Sequence, residues 1–174
     1  MTVERCDSSE VAGLMGGLSI FSSFTRPECE VLATALTAAR VAKGHELFCE
    51  GQAARAMFIV AKGEVTLFKQ LGRGRRKIAA LGPSNACGHE GLLDRKPNVW
   101  TAVATQDSTV LGCMRDAFER LYEADSALAL QLVVPIVTGL CRRSRGANGL
   151  LRELFADPQK TLMLLHQNAP RRRR

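Results

Sequence analysis

The side chains that could do chemistry here are three histidines, six cysteines and a terminal block of arginines, and their spacing limits what they can do. His45, His89 and His166 are more than forty residues apart. Cys6, Cys29, Cys49, Cys87, Cys113 and Cys141 follow one another at intervals of 20 to 38 residues, with no CxxC pair and no histidine cluster beside them. A zinc site draws its ligands from closely spaced pairs, so no metal and no resident cofactor is expected. No GxSxG, HExxH, P-loop or dinucleotide fingerprint occurs, so no catalytic residue is assigned and the chain is not expected to be an enzyme. The cysteines read as reduced thiols, mostly in the core of a cytoplasmic protein.

The formal charge is +7, of which Arg171, Arg172, Arg173 and Arg174 supply four, leaving +3 for the body. That excess is too small for a nucleic-acid-binding face. The arginine tail could meet phosphates or an acidic partner by Coulomb attraction. A solvated terminus is the commoner outcome for such a run.

With 174 residues, 46% hydrophobic and 24% charged, the chain can bury a core of its own without a disulfide or metal. The N-terminus lacks an apolar signal core, and export is not expected. Residues 126–141 carry no charge. As a helix they would reach about 24 Å against roughly 30 Å of bilayer hydrocarbon. Gln131, Pro135 and Gly139 interrupt them, so no membrane span is expected.

The elements that must position these residues fall into three stretches. Ser8 or Ser9 starts a weak helix with Val11, Leu14, Met15 and Leu18 on one face, and Thr25 caps a firmer one with Pro27 and Glu28 in its first turn. From Val41 to Met114 short β-rich runs at 47–48, 57–61, 65–68, 78–81, 100–105 and 109–113 alternate with glycine turns. Many short strands at close spacing predict an antiparallel roll, barrel or sandwich. After Arg115 come a short helix around Phe118 and Leu121 and a longer one capped by Asp125 or Ser126. Leu128, Leu132, Ile136 and Leu140 line one face of the longer helix, so it could pack on the roll and on a second copy, with Pro135 kinking it. Amphipathic helical pattern resumes around residues 150–155 and again after Asp157-Pro158.

Residues 87–102 read CGHEGLLDRKPNVWTA. This segment resembles the phosphate-binding cassette of the cyclic-nucleotide-binding domain family, the catabolite-activator-like β-roll. There Phe-Gly-Glu-apolar-Ala-Leu-Leu is followed by Pro-Arg-Ser/Thr-Ala. Ile20-Phe21, Lys43-Gly44, Phe48-Cys49-Glu50-Gly51, Phe58-Ile59-Val60, Lys62-Gly63-Glu64-Val65 and Leu81-Gly82-Pro83 match the family in the same order, so the resemblance covers roughly residues 14–146. It implies an α+β, mainly β fold: an antiparallel β-roll or double-stranded β-helix of jelly-roll type flanked by N- and C-terminal helices. Residues 1–13 would be a lead and 147–174 a helical extension with a basic tail.

In the family a short helix opened by glycine offers its N–H groups to the cyclic phosphate, an arginine pairs with the phosphate, and a glutamate takes the ribose 2′-hydroxyl. Position by position, Gly88 fits the glycine, Gly91 and Leu92 fit the helix, and Pro97 fits the proline. His89 stands at the glutamate position with Glu90 next to it, Asn98 stands at the arginine, and Val99 stands at the Ser/Thr. Losing such a charge partner costs about 2–5 kcal/mol, roughly thirty- to several-thousand-fold in affinity. Glu90 could replace the glutamate, Arg95 or Lys96 could supply a cation, or Asn98 and backbone amides could hold a less charged ligand.

The resemblance implies a regulatory domain that binds cAMP or cGMP weakly and signals through its C-terminal helices. The alternative is a degenerate, nucleotide-independent roll serving as a homodimerisation or protein-docking module, with Leu128, Leu132, Ile136 and Leu140 as the dimer face. Only 29 residues follow Arg145, too few for a DNA-reading winged domain, so sequence-specific DNA binding is not expected.

Overall fold

A computed structural model describes residues 4–5 and 8–156. Among them nine strands form two antiparallel sheets. β1 (Glu4–Arg5), β2 (Thr37–Val41), β4 (Ala56–Lys62), β7 (Ala86–Cys87) and β9 (Ser108–Met114) make a five-stranded sheet in the order β1-β2-β9-β4-β7. β3 (Glu46–Phe48), β5 (Val65–Leu71), β6 (Gly74–Leu81) and β8 (Thr101–Ala104) make a four-stranded sheet in the order β3-β8-β5-β6. This is the antiparallel roll that the glycine-spaced runs predict. Helices α1 (Ser8–Gly16) and α2 (Arg26–Ala35) precede its main strands, and α3 (His89–Asp94) interrupts them. α4 (Arg115–Ala124) and α5 (Ser126–Ala156) follow.

Two of the sequence-read helix starts form as expected. The Glu28 carboxylate accepts both the Thr25 backbone N–H at 2.6 Å and the Thr25 hydroxyl at 2.8 Å, which holds it below the usual carboxylate range. Asp125 accepts the Leu128 N–H at 3.0 Å and caps α5. Other boundaries differ. β2 begins at Thr37, four residues before the expected start of the β region, because Leu36 already has extended backbone (φ −107°, ψ 149°). β5 and β6 continue past their apolar runs through Lys69 to Leu71 and Gly74 to Lys77, where backbone pairing, not alternation of apolar side chains, makes the strand. The expected domain boundaries after residues 13 and 146 fall inside α1 and α5. Residues 157–174, with the expected last helix and the arginine tail, lie outside the described residues, as does Cys6.

Two compact units, Met1–Ile136 and Val137–Arg174, divide the chain. In the first, the central strands β4 and β9 of the five-stranded sheet are covered on both faces. Met57, Ile59, Ala61, Leu111 and Cys113 pack with Val11, Met15, Phe21, Leu32 and Leu121 in a sheet–helix core. Val60, Val65, Leu67, Leu81, Ala102 and Val110 fill the roll itself.

Leu128, Leu132 and Ile136 belong to the sheet–helix core. That corrects the expectation of a dimer face there: these side chains are already buried in the chain's own core and cannot also be offered to a second copy. In this unit the outward residues of α5 are Leu130, 53% exposed, and Val134, 61% exposed. In the second unit Leu140 is half-buried, while Val137 and Cys141 are exposed. By length and composition Ala127–Gly146 could cross a membrane. Insertion would pull Leu128, Ala129, Leu132 and Ile136 out of the core in which they are buried.

Five cysteines are described: Cys87 and Cys113 are buried, Cys29 and Cys49 half-buried, and Cys141 exposed. Burial pushes the Cys113 thiol up to about 12 from an ordinary 9.0. Above pH 9 the unfolded chain therefore loses this proton first, and stability falls between pH 9 and 12, by up to about 1.4 kcal/mol per pH unit. With Ellman's reagent at pH 8, Cys141 is expected to react at once and Cys113 only on unfolding. Rapid labelling of Cys113 in the folded protein would contradict this packing.

Candidate functional site

The candidate site begins where β7 leaves the five-stranded sheet. β7 pairs with Phe58 and Ile59 of β4, and Gly88 then turns the chain with φ +77° into α3. A Cβ on Gly88 would lie 2.8 Å from the Ala56 carbonyl oxygen and 3.2 Å from the Phe48 ring. Only glycine meets both the left-handed backbone and the close approach. Phe48 stacks on Phe58, ring centroids 6.1 Å apart, forming the wall behind this turn.

α3 then carries His89, Glu90, Gly91 and Leu92. His89 is 2% exposed, and its Nε2 lies 3.7 Å from a carboxylate oxygen of Glu90. A histidine thus fills the family's glutamate position as a buried side chain, with Glu90 beside it and partly exposed. After α3, Asp94 accepts the Lys96 N–H at 3.0 Å, and Arg95 takes φ +59°. Pro97 bridges Ala53, the Asn98 N–H donates to the Gln52 carbonyl and the Gly51 N–H donates to the Asn98 carbonyl, both at 2.8 Å. This reciprocal clamp fixes residues 97–98 against the β3–β4 loop and leaves Asn98 buried and Val99 exposed. Among the described residues the Asn98 side-chain amide makes no hydrogen bond.

The cations around the segment face acids. Arg95 reaches Glu119 of α4 at 3.1 Å, and Lys96 lies 4.0 Å from Asp94. Lys69 of β5 was not singled out in the sequence, where it opens a basic stretch with no apolar alternation. Its ammonium sits 2.7 Å from Glu50, donates to the Val99 carbonyl at 3.0 Å and lies 5.6 Å above the Trp100 ring. The Gln70 N–H and Lys69 together hold the Glu50 carboxyl below its usual range. Strand register could have found Lys69, since Phe68 pairs with Thr101 and places the next residue beside Trp100.

The segment thus joins a glycine turn, a short helix and a backbone clamp, and its cations Arg95 and Lys96 stand beside carboxylates. The family model described as cyclic nucleotide-binding domain matches residues 38–125, from β2 to the end of α4. The chain belongs to that family. The Cyclic AMP receptor protein of Thermus thermophilus is 30% identical over 105 residues, covering 60% of this chain and 49% of the relative. The solved catabolite activator protein of Thermus thermophilus superposes with TM-score 0.65 at 27% identity, over 78% of this chain and 62% of that one. A cyclic nucleotide-binding domain from Methylobacillus flagellatus has TM-score 0.71 over 84% of this chain and 83% of its own, and at 20% identity it shows a shared fold. The chain spans about half the length of the first curated relatives it matches.

Gly88 gives a direct test of the turn. Gly88→Ala is expected to destabilise the protein by at least about 2 kcal/mol, from left-handed strain together with the clash at Ala56. Gly44→Ala, at φ +88° but with open space around it, should cost only about 1 kcal/mol. Equal losses in urea denaturation would show that strain alone matters at Gly88.

Proposed function

We propose that this chain is a cytoplasmic, non-catalytic regulatory domain that takes a cyclic mononucleotide, cAMP or cGMP, with low affinity and passes its occupancy on through the C-terminal helices. One observation supports the reading: Gly88 turns the chain at φ +77° into the short α3, residues 97–98 are clamped to the β3–β4 loop, and the position that the resemblance assigns to an arginine carries the uncharged amide of Asn98. Peptide N–H groups and the Asn98 amide can each donate to phosphate oxygens, and the His89 imidazole can donate to or accept from a ribose hydroxyl. Arg95, Lys96 and Lys69 add little, since each already faces a carboxylate. Relatives named for cyclic AMP support the ligand class.

Calorimetric titration tests it. Both nucleotides are expected to bind with dissociation constants of roughly 1 mM, and Asn98→Arg should tighten cAMP binding by about thirtyfold or more. No heat at about 10 mM ligand, in the wild type and in Asn98→Arg alike, would exclude a nucleotide site.

A second reading, homodimerisation, is favoured by the outward face of α5. Leu130 and Val134, 53% and 61% exposed in the first unit, lie four residues apart on one side of the helix, as residues of a two-helix seam do. In sedimentation equilibrium the wild type is expected to dimerise. Val134→Glu, at an exposed position, is expected to stay monomeric with an unchanged melting temperature. A wild type that remains monomeric at every concentration excludes this reading.

A further inference from the structure

Lys69, Arg73, Arg75, Arg76 and Lys77 place five cations in nine residues with no acid among them. Without these five and the four terminal arginines the chain's +7 becomes −2, so the run is a local positive pole on an otherwise weakly acidic chain. It forms the β5–β6 hairpin, and β6 is an edge strand of the four-stranded sheet.

Two of the five cations are matched: Arg75 lies 2.5 Å from Glu46 and Lys69 lies 2.7 Å from Glu50. Arg73, Arg76 and Lys77 are exposed, and no acid pairs with them among the described residues. Arg76 also stands directly opposite Lys69 in the register, a like-charge cross-strand pair that costs stability. One or two charges suffice to keep an edge strand from pairing with copies of itself. A single-sign run of this density goes further, and it is flanked by apolar side chains that are also left out, Leu71 at 52% and Ile78 at 43% exposure.

The backbone narrows the kind of partner. Ile78 is a bulge, since Leu67 pairs with Ala79 and Phe68 with Lys77, so residues 74–77 form a regular stretch of edge. Among the described residues no strand pairs with its outer side. The open edge offers both N–H and C=O groups. Phosphates can accept hydrogen bonds but cannot donate to the carbonyls, whereas a peptide backbone does both. Along β6 Lys77 and Arg76 point to opposite faces, so a strand laid beside them meets positive charge on both sides.

We propose that the β6 edge docks an acidic, extended segment of a partner protein, which adds as a further strand to the four-stranded sheet with its carboxylates on Arg73, Arg76 and Lys77. The partner's charge relieves the repulsion in the hairpin, and its apolar residues cover Leu71 and Ile78. This surface does not use the Gly88 turn and stands whether or not a nucleotide binds there.

Anisotropy of a fluorescein-labelled nonapeptide of alternating glutamate and valine tests the proposal at low salt, with hydrogen exchange read on residues 74–81. The glutamate peptide is expected to bind and to slow exchange in β6, and an alternating lysine–valine peptide is expected not to bind. The triple variant Arg73→Ser, Arg76→Ser, Lys77→Ser should weaken binding roughly ten- to a hundredfold while melting no lower than the wild type. Wild-type affinity in the triple variant, binding without slowed exchange in β6, or tighter binding of a 15-nucleotide oligothymidylate than of the acidic peptide would each overturn it.

Discussion

The structure depends on the pairing of β4 with β9, the central strands of the five-stranded sheet, which are covered on both faces. Their register runs from Ala56–Met114 to Lys62–Thr109. Side chains pointing one way enter the sheet–helix core, and those pointing the other way enter the roll. A slip of one residue would exchange the two sets and leave each core filled with the wrong volumes. The site inherits this precision, because the Ala56 carbonyl and Phe48 leave room at position 88 for a hydrogen and nothing larger.

The sheet also separates the cassette from the helices. Cys87 and Phe48 beside the cassette belong to the roll core, whereas Leu121, Leu128 and Leu132 of α4 and α5 belong to the core on the far face. The side-chain link around the edge is the exposed Arg95–Glu119 pair. Exposed pairs of this kind contribute little. In the first unit β4 and β9 are the packed strands between the turn at Gly88 and the core that holds the start of α5.

Charge is distributed against strong anion capture. Around the cassette every cation named above stands next to a carboxylate, so each pair has little net field to offer a phosphate. The hairpin reverses this, concentrating cations where acids are few. A frame made by a glycine, a short helix and reciprocal peptide hydrogen bonds survives changes of side chain, but the charge inside it does not. That is why membership of the family and strength of grip can part company.

Much of the roll was legible because strand alternation, glycine turns and helix caps are local: Thr25 with Glu28, Asp125 with Leu128, and Gly88 before α3 all act over a few residues. The burial of Asn98 was not legible, because it follows from the clamp to Gly51 and Gln52, residues more than forty positions away. Burial of His89, the clamp between Asn98 and Gln52, and Lys69 over Trp100 were not legible either, because each joins residues set by strand register or by packing of distant segments. The faces of α5 show the division most clearly. The sequence by itself determined that this helix is apolar on more than one side, as period and composition are properties of a single segment. Only the tertiary structure decided that Leu128, Leu132 and Ile136 are spent on the core while Leu130 and Val134 are left outside, because that choice depends on how the helix is rotated against a core built from segments far away in the chain.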